Sequence, residues 1–197
     1  MRRVLNALYR GGVAAEIRPD VWAVWRGTDR RRRQVGTLPG AHIDLLRLHG
    51  FLTSLPSEQG CVLCWQAAAP YDLEHAMTVL HRPVETQPFL DQLILFGGLS
   101  HERSSLAQTA LGIRLDCGMM TRASIVAPEA VAACMRLTAI TECLSTQDCQ
   151  FLHQFLNEHA RKAELVEQFS LRPDAVRTKA INILRSMAET YQPEVSA

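Results

Sequence analysis

The 197-residue sequence contains no apolar run that approaches the roughly 20 residues of a membrane-spanning helix. Its first residues, MRRVLNALYRGG, lack the long apolar stretch and the small-residue cleavage site of a secretory signal peptide. The formal net charge is only +1, and there is no low-complexity tail or internal repeat. Because 47% of the residues are hydrophobic, the chain can bury a core. We therefore expect a globular, cytoplasmic protein that does not enter a membrane.

Motifs typical of catalysis are also missing. There is no glycine-rich phosphate loop, no G-x-S-x-G and no H-E-x-x-H, and the seven histidines are scattered along the chain. Single cysteine, histidine and aspartate residues could converge in the folded chain, but no spacing favours this. The sequence therefore predicts that the protein is not an enzyme and carries no cofactor.

The six cysteines do not form a pattern typical of disulfides or metal sites. Most have apolar neighbours, and in the absence of an export signal we expect reduced thiols. Cys61 and Cys64, followed by His75 and His81, could suggest zinc. However, residues three apart on a strand point to opposite faces, and no second C-x-x-C pair completes four ligands. We therefore expect no metal site.

Positive charge is concentrated at the front of the chain. Residues 1–50 hold ten arginines against four acidic residues, whereas acidic residues outnumber basic ones in the remainder. Four consecutive arginines, Arg30–Arg33, follow Arg26 and the tryptophans Trp22 and Trp25. Such a run favours contact with a nucleic-acid backbone. A solvated loop and an acidic protein partner are the alternatives.

The first 68 residues combine helical and β-type patterns. The predicted elements are a helix over 2–11, β structure over 15–25, a hairpin tip over 27–34 that returns through 35–38, a helix over 41–52 and a strand over 61–66. We interpret this order as an α/β module of winged-helix type with a basic hairpin.

From residue 69 onward the patterns are helical. The predicted helices cover 71–80, 88–96, 100–111 and 128–144, with glycine-containing loops at 97–98 and 117–118. The predicted fold is therefore mainly α with a small β component. It comprises a winged-helix-like module over 1–68 and an all-α domain over 69–197 that ends in a helix-turn-helix at about 161–191.

The C-terminal segment has the spacing of a helix, a tight turn and a longer helix. Apolar positions from Ala163 to Phe169 stop at Ser170-Leu171-Arg172-Pro173 and resume from Val176 to Tyr191. Proline suits the first turn of the second helix, because the N–H that it lacks would have no helical partner there. Such pairs are typical of nucleic-acid-binding helix-turn-helix units, but they are also common in ordinary helix packing.

If the apolar stripe of the second helix faces inward, the polar residues of that helix, Asp174 among them, lie together on the opposite face. Arginine and asparagine pair bidentately with guanine and adenine in a major groove. Between Arg161 and Tyr191, however, six basic residues stand against four acidic ones, which is little positive charge for neutralising several phosphates. The residues predicted to contact nucleic acid are Arg26, Arg30, Arg31, Arg32 and Arg33 in the hairpin, and Arg172, Arg177, Thr178, Asn182 and Arg185 at the C-terminal helix.

Both ends of the chain resemble bacterial helix-turn-helix transcription regulators of the gene transfer agent activator and antiterminator type (GafA/GafZ-like). The front, from VLNALYRGG to CVLCW at residues 61–65, is similar to the module that precedes that family's C-terminal domain, with Gly50-Phe51-Leu52 in the place of its G-L-L element. The tail, SLRPDAVRTKAINILRSMAETY, is similar to its closing helix. Residues 144–187 also resemble LuxR-type and sigma-factor region 4 helix-turn-helices. In two departures, the central E-S-P-L-x-W-L stretch is missing, and Ser170-Leu171 replaces the usual turn glycine.

The resemblance implies a regulator of phage-like gene clusters. Such a protein acts by antitermination, travelling with RNA polymerase and Nus-type elongation factors past terminators, or by activation at a promoter. DNA, nascent RNA and a DNA-binding partner regulator are the other expected partners. The alternatives are a stand-alone, promoter-specific DNA-binding activator and a protein-interaction adaptor whose C-terminal helix pair packs internally.

Overall fold

The computed structural model describes residues 1–55, 64–68, 72–83, 86–96, 103–122, 128–156 and 160–190. These residues contain nine helices and five strands, so the protein is mainly α-helical with a small β component, as the sequence predicts. They form two compact units. Unit 1 holds all five strands and the first three helices, and unit 2 holds the remaining helices. No helix within the described ranges is both long and apolar enough to cross a membrane.

The elements of unit 1 in chain order are α1 (Arg2–Tyr9), β1 (Val13–Arg18), β2 (Val21–Trp25), β3 (Gly36–Pro39), α2 (Gly40–Leu48), β4 (Leu52–Ser54), β5 (Cys64–Ala67) and α3 (Leu73–His81). The five strands form an antiparallel sheet in the order β3-β2-β1-β5-β4. The helix α3 contacts both α1 and α2, so unit 1 extends past the predicted segment 1–68.

The helix predicted over 2–11 ends at Tyr9, and two further predicted elements of unit 1 are changed by turns of the chain. The β structure predicted over 15–25 is two strands, because the chain turns at Asp20, which has a positive φ of 64° and donates its N–H to the Glu16 carboxylate. The helix predicted over 41–52 ends at Leu48. Two residues later, Gly50 adopts a φ of 72°, and the chain turns into β4. The predicted hairpin is confirmed: β2 pairs with β3, with Trp22 opposite Leu38. Residues 61–63 of the predicted strand lie outside the described ranges.

Two glycines allow α1 to approach the hairpin. A Cβ atom on Gly12 would lie 2.4 Å from the Trp25 carbonyl oxygen and 2.5 Å from that of Ala7. A Cβ atom on Gly36 would lie 2.8 Å from a methyl carbon of Val4. Since such distances are too short for a side chain, glycine permits this packing. The helix α1 therefore lies directly beside the ends of β2 and β3.

One charged pair is buried in unit 1. The Arg47 guanidinium donates to the Asp44 carboxylate at 3.2 Å, and both side chains are less than 10% exposed. Arg47 also lies over the ring of Trp65, with its guanidinium carbon 4.1 Å from the centroid. Burial lowers the pKa of Arg47, and the neighbouring Asp44 opposes that shift. The pair thus links α2 to β5.

Unit 2 contains only helices within its described residues. The helices predicted over 88–96 and 128–144 are confirmed with small shifts at their ends. The bounds are α4 (Phe89–Phe96), α5 (Arg103–Arg122), α6 (Pro128–Cys143), α7 (Thr146–Phe155), α8 (Lys162–Gln168) and α9 (Pro173–Thr190).

The loop predicted at 117–118 is wrong, because α5 continues through Gly118. A glycine inside a helix costs about 1 kcal/mol relative to alanine. In α5 a long-range contact offsets this cost: the Asp116 carboxylate, only 4% exposed, accepts two hydrogen bonds from Arg136 of α6 at 2.8 and 2.7 Å. A bidentate arginine–carboxylate pair of this kind fixes the last turns of α5 against α6.

The buried pair gives a stability prediction. We expect Asp44→Ala to lower the free energy of unfolding by about 3 kcal/mol, since the buried Arg47 guanidinium loses its ion pair with the Asp44 carboxylate. Glu74→Ala is the matched control, because it removes an ion pair with Arg2 in which both side chains are 70% exposed. It should change stability little. Urea unfolding of both variants measures this, and equal losses would contradict a special role for the buried pair.

Candidate nucleic-acid interface

The helices α7, α8 and α9 pack on one another around a group of aromatic side chains. The Phe151 ring stacks on Phe155 with centroids 6.0 Å apart and meets Phe169 edge-on at 5.1 Å. Leu165 of α8 and Leu184 of α9 are also fully buried. Burial of large apolar side chains from all three helices stabilises a compact three-helix unit. The predicted helix-turn-helix is its second half.

The turn between α8 and α9 closes by two backbone hydrogen bonds. Leu171 donates its N–H to the Val166 carbonyl at 3.1 Å, and Ser170 donates to that of Glu167 at 3.3 Å. This is the Schellman pattern, in which the residue just past the helix adopts a left-handed conformation and is usually glycine. Here Ser170 takes that position with a φ of 51°. The departure noted in the sequence therefore falls on the one residue of the turn that favours glycine.

The helix α9 begins as predicted. Pro173 is its first residue and Asp174 lies in its first turn. Val176 donates its N–H to the Arg172 carbonyl at 3.1 Å, which makes Arg172 the residue that caps the helix. The acidic side chain of Asp174 suits the positive end of the helix dipole.

The two faces of α9 separate as the spacing predicts. The inward face is buried at Val176, Ala180, Ile183, Leu184 and Met187. The Thr178 hydroxyl donates to the Asp174 carbonyl at 3.1 Å, so this hydroxyl is engaged within the helix. We name the exposed set the α9 face: Arg172, Arg177, Thr178, Asn182 and Arg185.

Lys179 lies outside this face and helps to hold α9 against α7. Its Nζ is 2.5 Å from the Asp148 carboxylate and 5.4 Å from the centroid of the Phe151 ring. Asp148 also accepts a hydrogen bond from the hydroxyl of Ser145, which caps α7. The bonds from Lys179 and Ser145 lower the pKa of Asp148. One of the basic residues counted in the C-terminal segment is thus engaged within unit 2.

The predicted arginine run lies in unit 1, on the loop over 26–35 that joins β2 to β3. Asp29 organises the loop: its carboxylate accepts the Arg31 N–H at 3.0 Å and lies 3.6 Å from Nε of Arg32. Val35 closes the hairpin by donating its N–H to the Val24 carbonyl at 2.7 Å. The predicted arginines Arg26, Arg30, Arg31, Arg32 and Arg33 are all exposed.

The structure divides these arginines between two sides of the loop. One side is an open cleft of about 480 Å³ lined by Arg3, Arg26, Arg33, Gln34 and Val35, which we name the arginine cleft. Arg3, from α1, is absent from the sequence-based set. Its only signal in the sequence is its place on the polar side of α1, since the contact with the hairpin depends on the fold.

The other side of the loop has balanced charge. There Arg30 and Arg31 line a depression together with Glu16 and Asp29, two positive against two negative side chains. Arginines of the predicted run therefore line two different depressions, and of these two the arginine cleft has no carboxylate among its described lining residues.

The cysteines and histidines do not assemble around a common centre in the described part of the chain. No group of three or more metal-ligating side chains occurs there. Cys64, Cys117, Cys134, Cys143 and Cys149 are free thiols, and Cys61 lies outside the described ranges.

No protein-family model, no curated protein and no solved structure matches this chain significantly.

The turn gives a second stability prediction. We expect Ser170→Gly to raise the free energy of unfolding by about 0.5–1 kcal/mol, because glycine adopts a positive φ without the cost that serine incurs. Ser186→Gly, toward the C-terminal end of α9, is the matched control and should lower stability by a similar amount. Thermal unfolding of both variants measures the difference. A loss of stability in Ser170→Gly would contradict the left-handed conformation of Ser170.

Proposed function

We propose that the protein is a non-enzymatic, cytoplasmic transcription regulator of bacterial or phage-related origin, which acts by binding RNA polymerase and nucleic acid. Antitermination or activation of a phage-like (gene transfer agent) cluster is its proposed role. The observation that carries the proposal is the α9 face: a row of arginine and asparagine side chains exposed on the second helix of a helix-turn-helix.

The dimensions of α9 suit a recognition helix. Its 18 residues span about 27 Å at 1.5 Å per residue, and a B-DNA major groove is wide enough for one α-helix. Recognition helices contact bases chiefly through their N-terminal half. Arg177 and Thr178 lie in that half of α9, and Arg172 at its start suits a phosphate contact.

The positive charge needed for a nucleic-acid complex is supplied by both units. The α9 face carries three arginines, with Asp174 exposed close to them, so its net charge is modest. The β2–β3 loop of unit 1 adds exposed arginines, and we propose that it acts as the wing of a winged-helix-like module that contacts phosphates. The modest charge of α9 also favours a complex in which RNA polymerase and Nus-type factors contribute part of the binding.

A stand-alone promoter-specific activator is the second candidate. Exposure of Arg177 and Asn182 favours it, because these side chains are suited to guanine and adenine edges. The adaptor hypothesis receives no such support, since burial of the Arg177 and Asn182 face would favour it and both residues are exposed. In this candidate the protein binds a defined duplex alone or with a DNA-binding partner regulator.

Expression of a tagged protein in its own cells, with a reporter downstream of a terminator, tests the leading proposal. We expect RNA polymerase subunits to co-purify and read-through to rise. The double variant Arg177→Ala/Asn182→Ala should abolish most of the increase, because it removes the central donors of the α9 face. Arg18→Ala, an exposed charge on β1, is the matched control and should behave as the unmodified protein.

Unchanged read-through together with the absence of polymerase would contradict the leading proposal. The stand-alone candidate predicts a different outcome: the purified protein binds one promoter duplex, and its affinity falls steeply as salt rises. Arg177→Ala would then reduce discrimination at one base pair by about 1–3 kcal/mol.

A further inference from the structure

We propose that the arginine cleft of unit 1 binds a terminal phosphate or polyphosphate group, such as the 5′ end of an RNA chain or a free nucleotide carries. This goes beyond the proposed function, which requires only contacts to internal phosphates of a nucleic-acid backbone. The site uses Arg3, Arg26 and Arg33 as its charged groups and the Gln34 side chain as a neutral lining group.

The cleft is assembled from two parts of the sequence. Arg3 belongs to α1, Arg26 follows the end of β2, and Arg33 lies on the loop that leads to β3. The close packing of α1 at Gly12 and Gly36 sets this helix beside the hairpin. Because the fold itself brings the elements together, the three arginines face one concave surface without a ligand having to gather them.

The charge of the cleft is uncompensated. No ion pair or hydrogen bond joins the Arg3, Arg26 or Arg33 side chains to another residue in the described ranges, and no carboxylate lines the cleft there. Two other arginines of unit 1 do pair with carboxylates: Arg2 with Glu74 and Arg47 with Asp44. Like charges held in one cleft raise the local potential and attract an anion.

The amount of charge indicates which anion. An internal phosphodiester carries one negative charge, whereas a phosphate monoester carries nearly two at neutral pH and a polyphosphate carries more. Three guanidinium groups match the larger charge, and their planar forks suit phosphate oxygens. The balanced depression on the other side of the loop, with Glu16 and Asp29 in its lining, does not suit an anion.

Calorimetric titration of the full chain with inorganic pyrophosphate tests the site. We expect Arg3→Gln and Arg26→Gln each to weaken binding about tenfold or more, since each removes a charge-assisted contact. Arg31→Gln removes the same charge from the same loop but lies on the balanced side, so it should weaken binding less than threefold. Far-ultraviolet circular dichroism checks that each variant is folded. Absence of pyrophosphate binding, or equal weakening by all three variants, would overturn the proposal.

Two short RNAs of one sequence, bearing a 5′-triphosphate or a 5′-hydroxyl, distinguish the sources of the ligand. Tighter binding of the triphosphate form, with the difference lost in Arg3→Gln, assigns the cleft to an RNA end. Equal RNA binding together with pyrophosphate and ATP binding that Arg3→Gln weakens assigns it to a free nucleotide. Either result leaves the α9 face untouched, so failure here does not affect the proposed function.

Discussion

The packing of Phe151 against Phe155 and Phe169 is the contact on which the candidate interface of unit 2 depends. It takes up one side of α9, so the polar residues of that helix must face outward. The Lys179–Asp148 pair at the edge of the same contact fixes the rotation of α9 about its axis. The exposed row of arginine and asparagine is the polar face of an amphipathic helix whose apolar stripe is buried.

In unit 1 the candidate site depends on a different contact, the packing of α1 against the hairpin. Glycine at positions 12 and 36 permits α1 to lie against the hairpin, and this contact places Arg3 beside Arg26 and Arg33. Within the loop, the Asp29 carboxylate accepts the Arg31 backbone N–H and pairs with Arg32. Asp29 and Glu16 line the depression on the other side of the loop, and no carboxylate lines the arginine cleft among the described residues.

Local signals in the sequence predicted local structure well. The spacing from Val176 to Met187 and the position of Pro173 predicted the turn, the start of α9 and its buried face, because all three depend on residues within a few turns. Contacts between distant residues were not predictable from these signals. Continuation of α5 through Gly118 depends on the Asp116–Arg136 pair, and the arginine cleft depends on Arg3 of α1, which is 23 positions away from Arg26 in sequence.

Photo-cross-linking tests the central claim that the α9 face and the β2–β3 loop (residues 26–35) both contact nucleic acid. Transcription complexes that contain the protein and DNA or RNA with photoreactive bases would be irradiated, and the cross-linked peptides identified by mass spectrometry. The account predicts cross-links within residues 26–35 and within residues 172–185. Cross-links confined to other segments, or none under conditions in which polymerase itself is cross-linked, would contradict it.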